Sequence, residues 1–170
     1  MKRFSDALLI ATIGLTTPSH AEVVSASANH FALRHEGITS LSVEETWQRL
    51  IHPASWWDSS HSYSGDAANI SLEPEVGGLW REDWDGGSVA HGTVLFIDEG
   101  KALRLEAPFG PLQGMGAYVI WTITLEPAEE GTHVVFEESA IGPPVADYKE
   151  MAKAVDFVKG AAMRNLTAAK

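Results

Sequence analysis

The chain has 170 residues, a formal net charge of −11 and no cysteine. Its length suits one domain with its own core, and the missing thiols exclude disulfides, thiolate metal sites and cysteine nucleophiles. So acidic a surface repels phosphate backbones and anionic lipid headgroups, which disfavours nucleic-acid binding.

The N-terminus has the three parts of a secretory signal peptide. A basic start precedes a short apolar run over residues 7–15, and small residues precede a cut after Ala21. The run is too short to span a bilayer, which takes about 20 apolar residues. We therefore expect a signal peptide over residues 1–21, one mature domain over residues 22–170, and a periplasmic or secreted protein without stable membrane insertion. A cytosolic protein with an amphipathic first helix is the alternative.

Alternation and turn signals divide the mature chain into strands and helices. Residues 22–37 are typical of one long strand. Ser42 and Glu45 form a capping box that predicts a helix ending before Pro53, and residues 54–57 predict a second, short helix. Further strands are predicted over residues 70–73, 79–84, 88–97, 102–107, 117–125 and 132–141, joined by glycine-rich turns.

A long helix is predicted over residues 145–169. Its apolar stripe consists of Met151, Val155, Val158, Ala162 and Leu166. The order of elements predicts an α+β fold: a curved antiparallel sheet of about seven strands wrapped on the C-terminal helix, with two short helices after the first strand. A helix does not fill the space over a curved sheet completely, so we expect a cavity beneath it, open near the short helices.

The segment from Leu79 to Trp84 carries the first candidate for chemistry. Trp80, Glu82 and Trp84 share one face of this strand, and a carboxylate between two indoles on a buried face must be paired, hydrogen-bonded or protonated. The alternative is a solvated face with the tryptophans packed at its edge.

His91 lies in the next hairpin arm and reaches Glu82 if the strand register allows. A buried carboxylate–imidazole pair is a ready general acid and base. Glu82 buried without a charged partner would have a raised pKa, whereas pairing would lower its pKa and raise the pKa of His91. The alternative is a solvent-facing His91, because the register across residues 85–87 cannot be read from the sequence.

The histidines and serines favour neither metal nor nucleophilic chemistry. No His-x-His, His-Glu-x-x-His or Gly-x-Ser-x-Gly motif occurs. The nearest cluster, His52, Asp58 and His61, lies on a turn and a loop, where we expect solvated side chains. His35 and His133 are expected to point outward from their strands. We therefore predict no metal and no cofactor.

The aromatic residues favour a ligand cavity, because a sheet covered by one helix has a single interior face that is also the cavity wall. We expect tryptophan side chains to line the cavity. Residues 56–57 and an apolar lip over residues 109–115 are expected to gate entry. Glu82, together with His91, is expected to supply a polar contact to the ligand. The predicted ligand-binding residues are Trp56, Trp57, Trp80, Trp84, Phe109, Met115 and Trp121.

Several segments together resemble the START-like, or SRPBCC, superfamily over nearly all of the mature chain. They are Ser42–Trp47, Pro53–Trp57, Gly77-Gly78-Leu79-Trp80, His91-Gly92-Thr93-Val94, Leu103-Arg104-Leu105, Gly131-Thr132 and the terminal helix. They are most similar to the branch of polyketide cyclase/dehydrase-like proteins and homologues of the chaperone-ATPase activator. The resemblance implies a helix-grip fold and a range of roles that includes lipid carriers, aromatic-ligand binders and cyclases.

These observations together favour a monomeric or weakly dimeric protein that binds a small hydrophobic or aromatic molecule, lipid- or polyketide-like, as in lipid transport. The alternative is a cyclase, dehydratase or hydrolase in which Glu82 and His91 act as acid and base. A protein-interaction module is a third possibility, although no exposed apolar helix indicates one.

Overall fold

The computed structural model describes residues 20–144 and 147–168. The predicted signal peptide lies outside these residues except for its last two positions. Eight strands are present: β1 (His20–Ala26), β2 (His30–Thr39), β3 (Ile70–Leu72), β4 (Leu79–Trp84), β5 (Gly87–Asp98), β6 (Ala102–Glu106), β7 (Tyr118–Ala128) and β8 (Gly131–Ile141). The helices are α1 (Val43–Leu50), α2 (Pro111–Gly114) and α3 (Tyr148–Thr167), with short 3₁₀ helices at Pro53–Ser55, Ser59–His61 and Ala67–Asn69.

All eight strands form one antiparallel sheet in the order β1-β2-β8-β7-β6-β5-β4-β3. The long helix α3 packs against β1 and β2 and also touches α1. The predicted α+β helix-grip architecture is thus confirmed. The sheet has one strand more than the approximately seven expected.

The additional strand comes from the segment predicted as one strand over residues 22–37, and that prediction was wrong. The chain turns back at residues 27–29, where the amide of Ser27 donates to the carbonyl of His30 at 2.7 Å. Neither glycine nor proline marks this turn. Ser27 and Asn29 close it with a side-chain hydrogen bond, which is a weaker signal in a sequence.

Helix α1 begins as its capping box predicts. The Ser42 side chain accepts from the Glu45 amide, and the Glu45 carboxylate accepts from the Ser42 amide. Buried Trp47 and Leu50 fix α1 on the main core, so the loop after it starts from an anchored point. Among the helices of residues 20–144 and 147–168, none is long and apolar enough to cross a membrane.

The apolar stripe of α3 divides into two halves with different surroundings. Ala162 and Leu166 are buried in the main core. Met151, Val155 and Val158 are only partly buried and border an internal cavity. The C-terminal half of α3 therefore anchors the helix on the sheet, and the N-terminal half roofs the cavity.

Candidate functional site

The cavity has a volume of about 230 Å³ and lies between α3, the sheet and two loops. One loop spans residues 57–63, and the other runs from Phe109 into α2. This is the position expected from the fold geometry, beneath the helix and beside the short helices. The lining consists of Trp57, His61, Tyr63, His91, Phe109, Gly110, Pro111, Leu112, Glu138, Met151, Ala154, Val155, Val158 and Lys159.

Phe109 is the centre of the aromatic wall. Its ring lies nearly parallel to those of Trp57 and His91, with centroid separations of 5.3 and 5.2 Å. Trp80 and Trp121 contact Phe109 edge-on from the core. Packed aromatic neighbours hold these rings in fixed orientations, so the aromatic wall of the cavity is preformed.

The structure brings only part of the predicted aromatic set to the cavity. Trp57 and Phe109 line it, whereas Trp56, Trp80 and Trp121 lie in the core behind it. Trp84 is half-buried at the end of the β4–β5 hairpin, where its indole lies over Gly87.

Met115 lies outside the cavity wall. It packs against the smaller core cluster formed by β2, β7, β8 and the start of α3. Of the predicted lip over residues 109–115, Phe109 to Leu112 reach the cavity.

The carboxylate of Glu82 is completely buried and bound by three donors. Nε2 of His91 lies 3.0 Å from its Oε2, and the backbone amides of Tyr63 and Ser64 donate to its two oxygens. A carboxylate only accepts, so the proton between the pair sits on Nε2 of His91. The pair therefore joins β4 and β5 to the loop that borders the cavity.

A β-bulge turns His91 inward. Trp80 pairs with Gly92 and Arg81 pairs with Ala90, which leaves His91 as the extra residue of β5. His91 and Gly92 are consequently both buried, in contrast to strict alternation. A bulge of this kind re-aims a side chain, and here it points the imidazole at Glu82 and at the cavity.

Burial affects the two members of this pair in different ways. Desolvation raises the pKa of Glu82, but the hydrogen bonds from Ser64, Tyr63 and His91 outweigh it and hold that pKa below its usual value. Desolvation also lowers the pKa of His91, and Glu82 offsets this only in part. The predicted net rise in the pKa of His91 was therefore wrong, because desolvation outweighs the effect of Glu82. Near neutral pH the pair is a carboxylate and a neutral imidazole.

A second buried pair faces the cavity and was not predicted. Nζ of Lys159 lies 2.8 Å from Oε2 of Glu138, and both side chains are less than 5% exposed. The contact is close, but its angles are not those of a hydrogen bond. The sequence contained an indication of both positions. Lys159 lies four residues after Val155, on the side of the apolar stripe. Glu138 lies two residues after Phe136 and therefore on the same, inward-facing side of β8.

His35 is also buried, and the prediction that it points outward was wrong. Its Nε2 lies 2.9 Å from Oδ1 of Asp156 on α3. Burial lowers the pKa of His35, while Asp156 acts in the opposite direction. His35 lies on the same face of β2 as buried Phe31 and Leu33, and helix α3 covers that face.

Within residues 20–144 and 147–168, no three acidic or histidine side chains come together as a metal site. His52 is exposed and contacts the carbonyl of Gln48, and Asp58 accepts from Ser60. His61 alone of this group borders the cavity. His133 is partly exposed and lies 3.4 Å from Glu36.

Comparison with known proteins identifies a family and a fold. The family described as Activator of Hsp90 ATPase homolog 1-like protein matches residues 40–167. No curated protein matches the chain in sequence. Structurally, the chain is similar to protein MLL2253 from Mesorhizobium loti, with 20% identity, a TM-score of 0.57, and coverage of 80% of this chain and 93% of that one.

Two further solved structures share the fold. The Aha1 dimer from Colwellia psychrerythraea has 16% identity and a TM-score of 0.57, and the match covers 80% of this chain and 92% of that one. CalU16 from Micromonospora echinospora has 12% identity and a TM-score of 0.52, with coverage of 88% and 85%. At such identities these likenesses show the fold alone.

Proposed function

The chain belongs to the Activator of Hsp90 ATPase homolog 1-like family of the SRPBCC superfamily, and from this premise we propose that it binds a small hydrophobic, aromatic molecule in the cavity beneath α3. The ligand is lipid- or polyketide-like in being mostly apolar with few polar groups. The observation that carries the proposal is the cavity itself, with its preformed aromatic wall and its few convergent polar groups.

The size of the cavity limits the ligand. A cavity of roughly 150 Å³ holds benzene, and the cavity here measures about 230 Å³. It therefore suits a molecule of about two fused rings rather than a long acyl chain. Trp57 and Phe109 offer such a molecule aromatic contacts, and Met151 and Val155 of α3 line the cavity beside them.

Binding is tested with 1-naphthylamine, a neutral two-ring dye whose emission shifts to the blue in apolar surroundings. We expect about one site per chain. Val155→Trp fills the cavity from α3 and should weaken dye binding by at least about tenfold, since it removes the space and the apolar contact. Val76→Trp adds the same side chain at an exposed position and should bind the dye as the parent does. Equal binding by both variants would contradict the assignment of the cavity.

An acid–base enzyme is the second candidate function, favoured by the Glu82–His91 pair at the cavity wall. With the proton on Nε2, Nδ1 of His91 keeps a lone pair, and Glu82 stabilises the imidazolium formed when Nδ1 takes a proton. Such a group acts in cyclisation, dehydration or hydrolysis of a polyketide-like substrate.

The elimination of 5-nitrobenzisoxazole, a two-ring substrate that loses one C–H proton to a base, tests this second function. Turnover above the buffer rate that His91→Gln abolishes and His52→Gln preserves would support it. A parent rate equal to that of His91→Gln would leave binding as the only function of the cavity.

Export is a separate proposal that rests on the N-terminal pattern alone. Processing after Ala21 leaves residues 22–26 of β1 to pair with β2. The intact mass of protein from the periplasmic fraction should correspond to a chain that begins at Glu22. A full-length chain confined to the cytosol would contradict export.

A further inference from the structure

The ion pair of Lys159 and Glu138 lies inside an otherwise apolar wall. Nζ of Lys159 is 3.1 Å from the ring centroid of Trp121 and 4.6 Å from that of Phe109. Neither Nζ nor Oε2 of Glu138 makes a hydrogen bond of ordinary geometry within the described residues. The amine therefore retains bonding capacity, and the side chain of Lys159 is part of the cavity wall.

Stability alone does not account for this pair. Two charges taken out of water lose solvation that their mutual attraction barely restores, and apolar residues of similar size are often equally or more stabilising. The apolar contacts of α3 at Ala162, Met163 and Leu166 already fix the helix on the core. The packing of α3 therefore does not by itself explain a buried amine at the cavity wall.

The surroundings of Lys159 shift its protonation equilibrium toward the uncharged form. Desolvation lowers the pKa of Lys159 to about 8, with Glu138 acting in the opposite direction. At pH 7.5 roughly a quarter of such amines are unprotonated, compared with about one in a thousand for an ordinary lysine. A free amine in an apolar pocket is the usual arrangement of a lysine that attacks carbonyl groups.

We propose that Lys159 forms a reversible imine with a small aromatic aldehyde held in the cavity. This inference rests on the proposed function, because the aldehyde occupies the same site beneath α3. The rings of Trp57 and Phe109 would hold the aromatic part, and the carbonyl carbon would lie against Nζ. Proximity of the two reacting groups supplies much of the rate in such additions.

The chemical step balances without an additional oxidant or reductant. Nζ attacks the carbonyl carbon and forms a C–N bond. The carbonyl oxygen then leaves as water, carrying the two protons that the neutral amine loses. Glu138 assists as a positioned acid and base, since its Oε2 can take a proton from Nζ and return it to the departing oxygen.

Other titratable groups around Lys159 influence its charge. Glu138 of β8 favours the ammonium form. Lys159 in turn disfavours protonation of His91 on β5 and His35 on β2, while Asp156 of α3 is held by His35. Protonation of these two imidazoles in acid therefore adds positive charge near the amine. This charge disfavours the ammonium form of Lys159.

The test traps the imine on the full chain with 2-naphthaldehyde and sodium cyanoborohydride at pH 7.5, followed by peptide mapping. We expect one naphthylmethyl group per chain on Lys159, added about tenfold faster than on Lys153. Lys153 is the matched control, because it lies on the same helix but is exposed and paired with Glu150, which raises its pKa. Lys159→Arg keeps the charge and should lose the fast labelling.

Dye binding separates this inference from the proposed function. If Lys159→Arg and the parent both bind 1-naphthylamine while 2-naphthaldehyde labels all lysines at similar rates, the imine is overturned and the cavity function stands. If the parent does not bind the dye, the cavity function itself is overturned. Fast labelling of the parent at Lys159, with an apparent pKa well below that of Lys153, supports the imine.

Discussion

At the scale of single residues, Glu82 shows how a buried charge is retained in this fold. The strand β4 brings it under the loop at residues 63–64, whose amides donate to its two oxygens. His91 supplies a third donor from β5. Charge-assisted hydrogen bonds of this kind are about twice as strong as neutral ones, so the ionised form is favoured in spite of burial.

Glu82→Gln should lower the free energy of unfolding by about 2 kcal/mol at pH 7, because an amide cannot accept from all three donors and loses the charge. The lowered pKa of Glu82 means that its stabilising effect is present above the unfolded pKa and is lost as pH falls through the folded pKa. The difference between variant and parent should therefore hold down to the unfolded glutamate pKa of about 4.5 and shrink as the pH falls further. Urea unfolding at several pH values measures it.

The matched control is Glu137→Gln. Glu137 is exposed and pairs with Arg34 at the surface, so its replacement should change stability by less than about 0.5 kcal/mol. A Glu82→Gln protein as stable as the parent at every pH would contradict the role assigned to the carboxylate.

At the scale of elements, the bulge in β5 determines what the cavity contains. It places His91 and Gly92 side by side in the interior. A Cβ atom on Gly92 would lie 2.7 Å from the carbonyl oxygen of Glu106 and 2.9 Å from Cβ of Ala107. Glycine at this position lets β6 approach closely enough to keep the bulge in place.

Gly92→Ala should destabilise the protein by about 2 kcal/mol, because backbone atoms must move to admit the methyl group. Gly114→Ala in α2 is the control, since a Cβ there meets no atom within 4 Å; its effect should be neutral or slightly stabilising. Thermal melts compare the two variants with the parent. Similar losses at both glycines would show that the close approach at Gly92 is unimportant.

At the scale of the whole molecule, two buried imidazoles make the stability of the helix-and-sheet core depend on pH. His35 joins β2 to α3, and His91 joins β5 to β4. Burial lowers the pKa of both side chains in the folded protein. Their neutral forms are therefore favoured by folding, and the protein binds more protons when it unfolds in mild acid.

The melting temperature should consequently be highest above the unfolded imidazole pKa of about 6.5 and should fall as the pH is lowered toward 5. His91→Gln retains a donor to Glu82 without titrating, and should show a smaller fall than the parent. His52→Gln, at an exposed position, should keep the parent's slope. Parallel curves for His91→Gln and the parent would contradict a contribution from His91.

Local patterns in the sequence determined most of the fold. The capping box of α1, the glycine turns between strands and the apolar stripe of α3 each depend on residues a few positions apart, and such short-range preferences survive folding. The break at residues 27–29 was missed because its turn lacks glycine and proline. The interior position of Glu82 followed from alternation along β4.

Only the tertiary structure decided how the site is built. Strand register and the bulge at His91 depend on pairing across the sheet, and the placement of α3 decides which of its stripe residues roof the cavity and which pack in the core. The Lys159–Glu138 pair joins residues 21 positions apart on different elements. Such contacts arise from packing of whole elements, so alternation and helical period identified the inward-facing positions but not the partners that meet there.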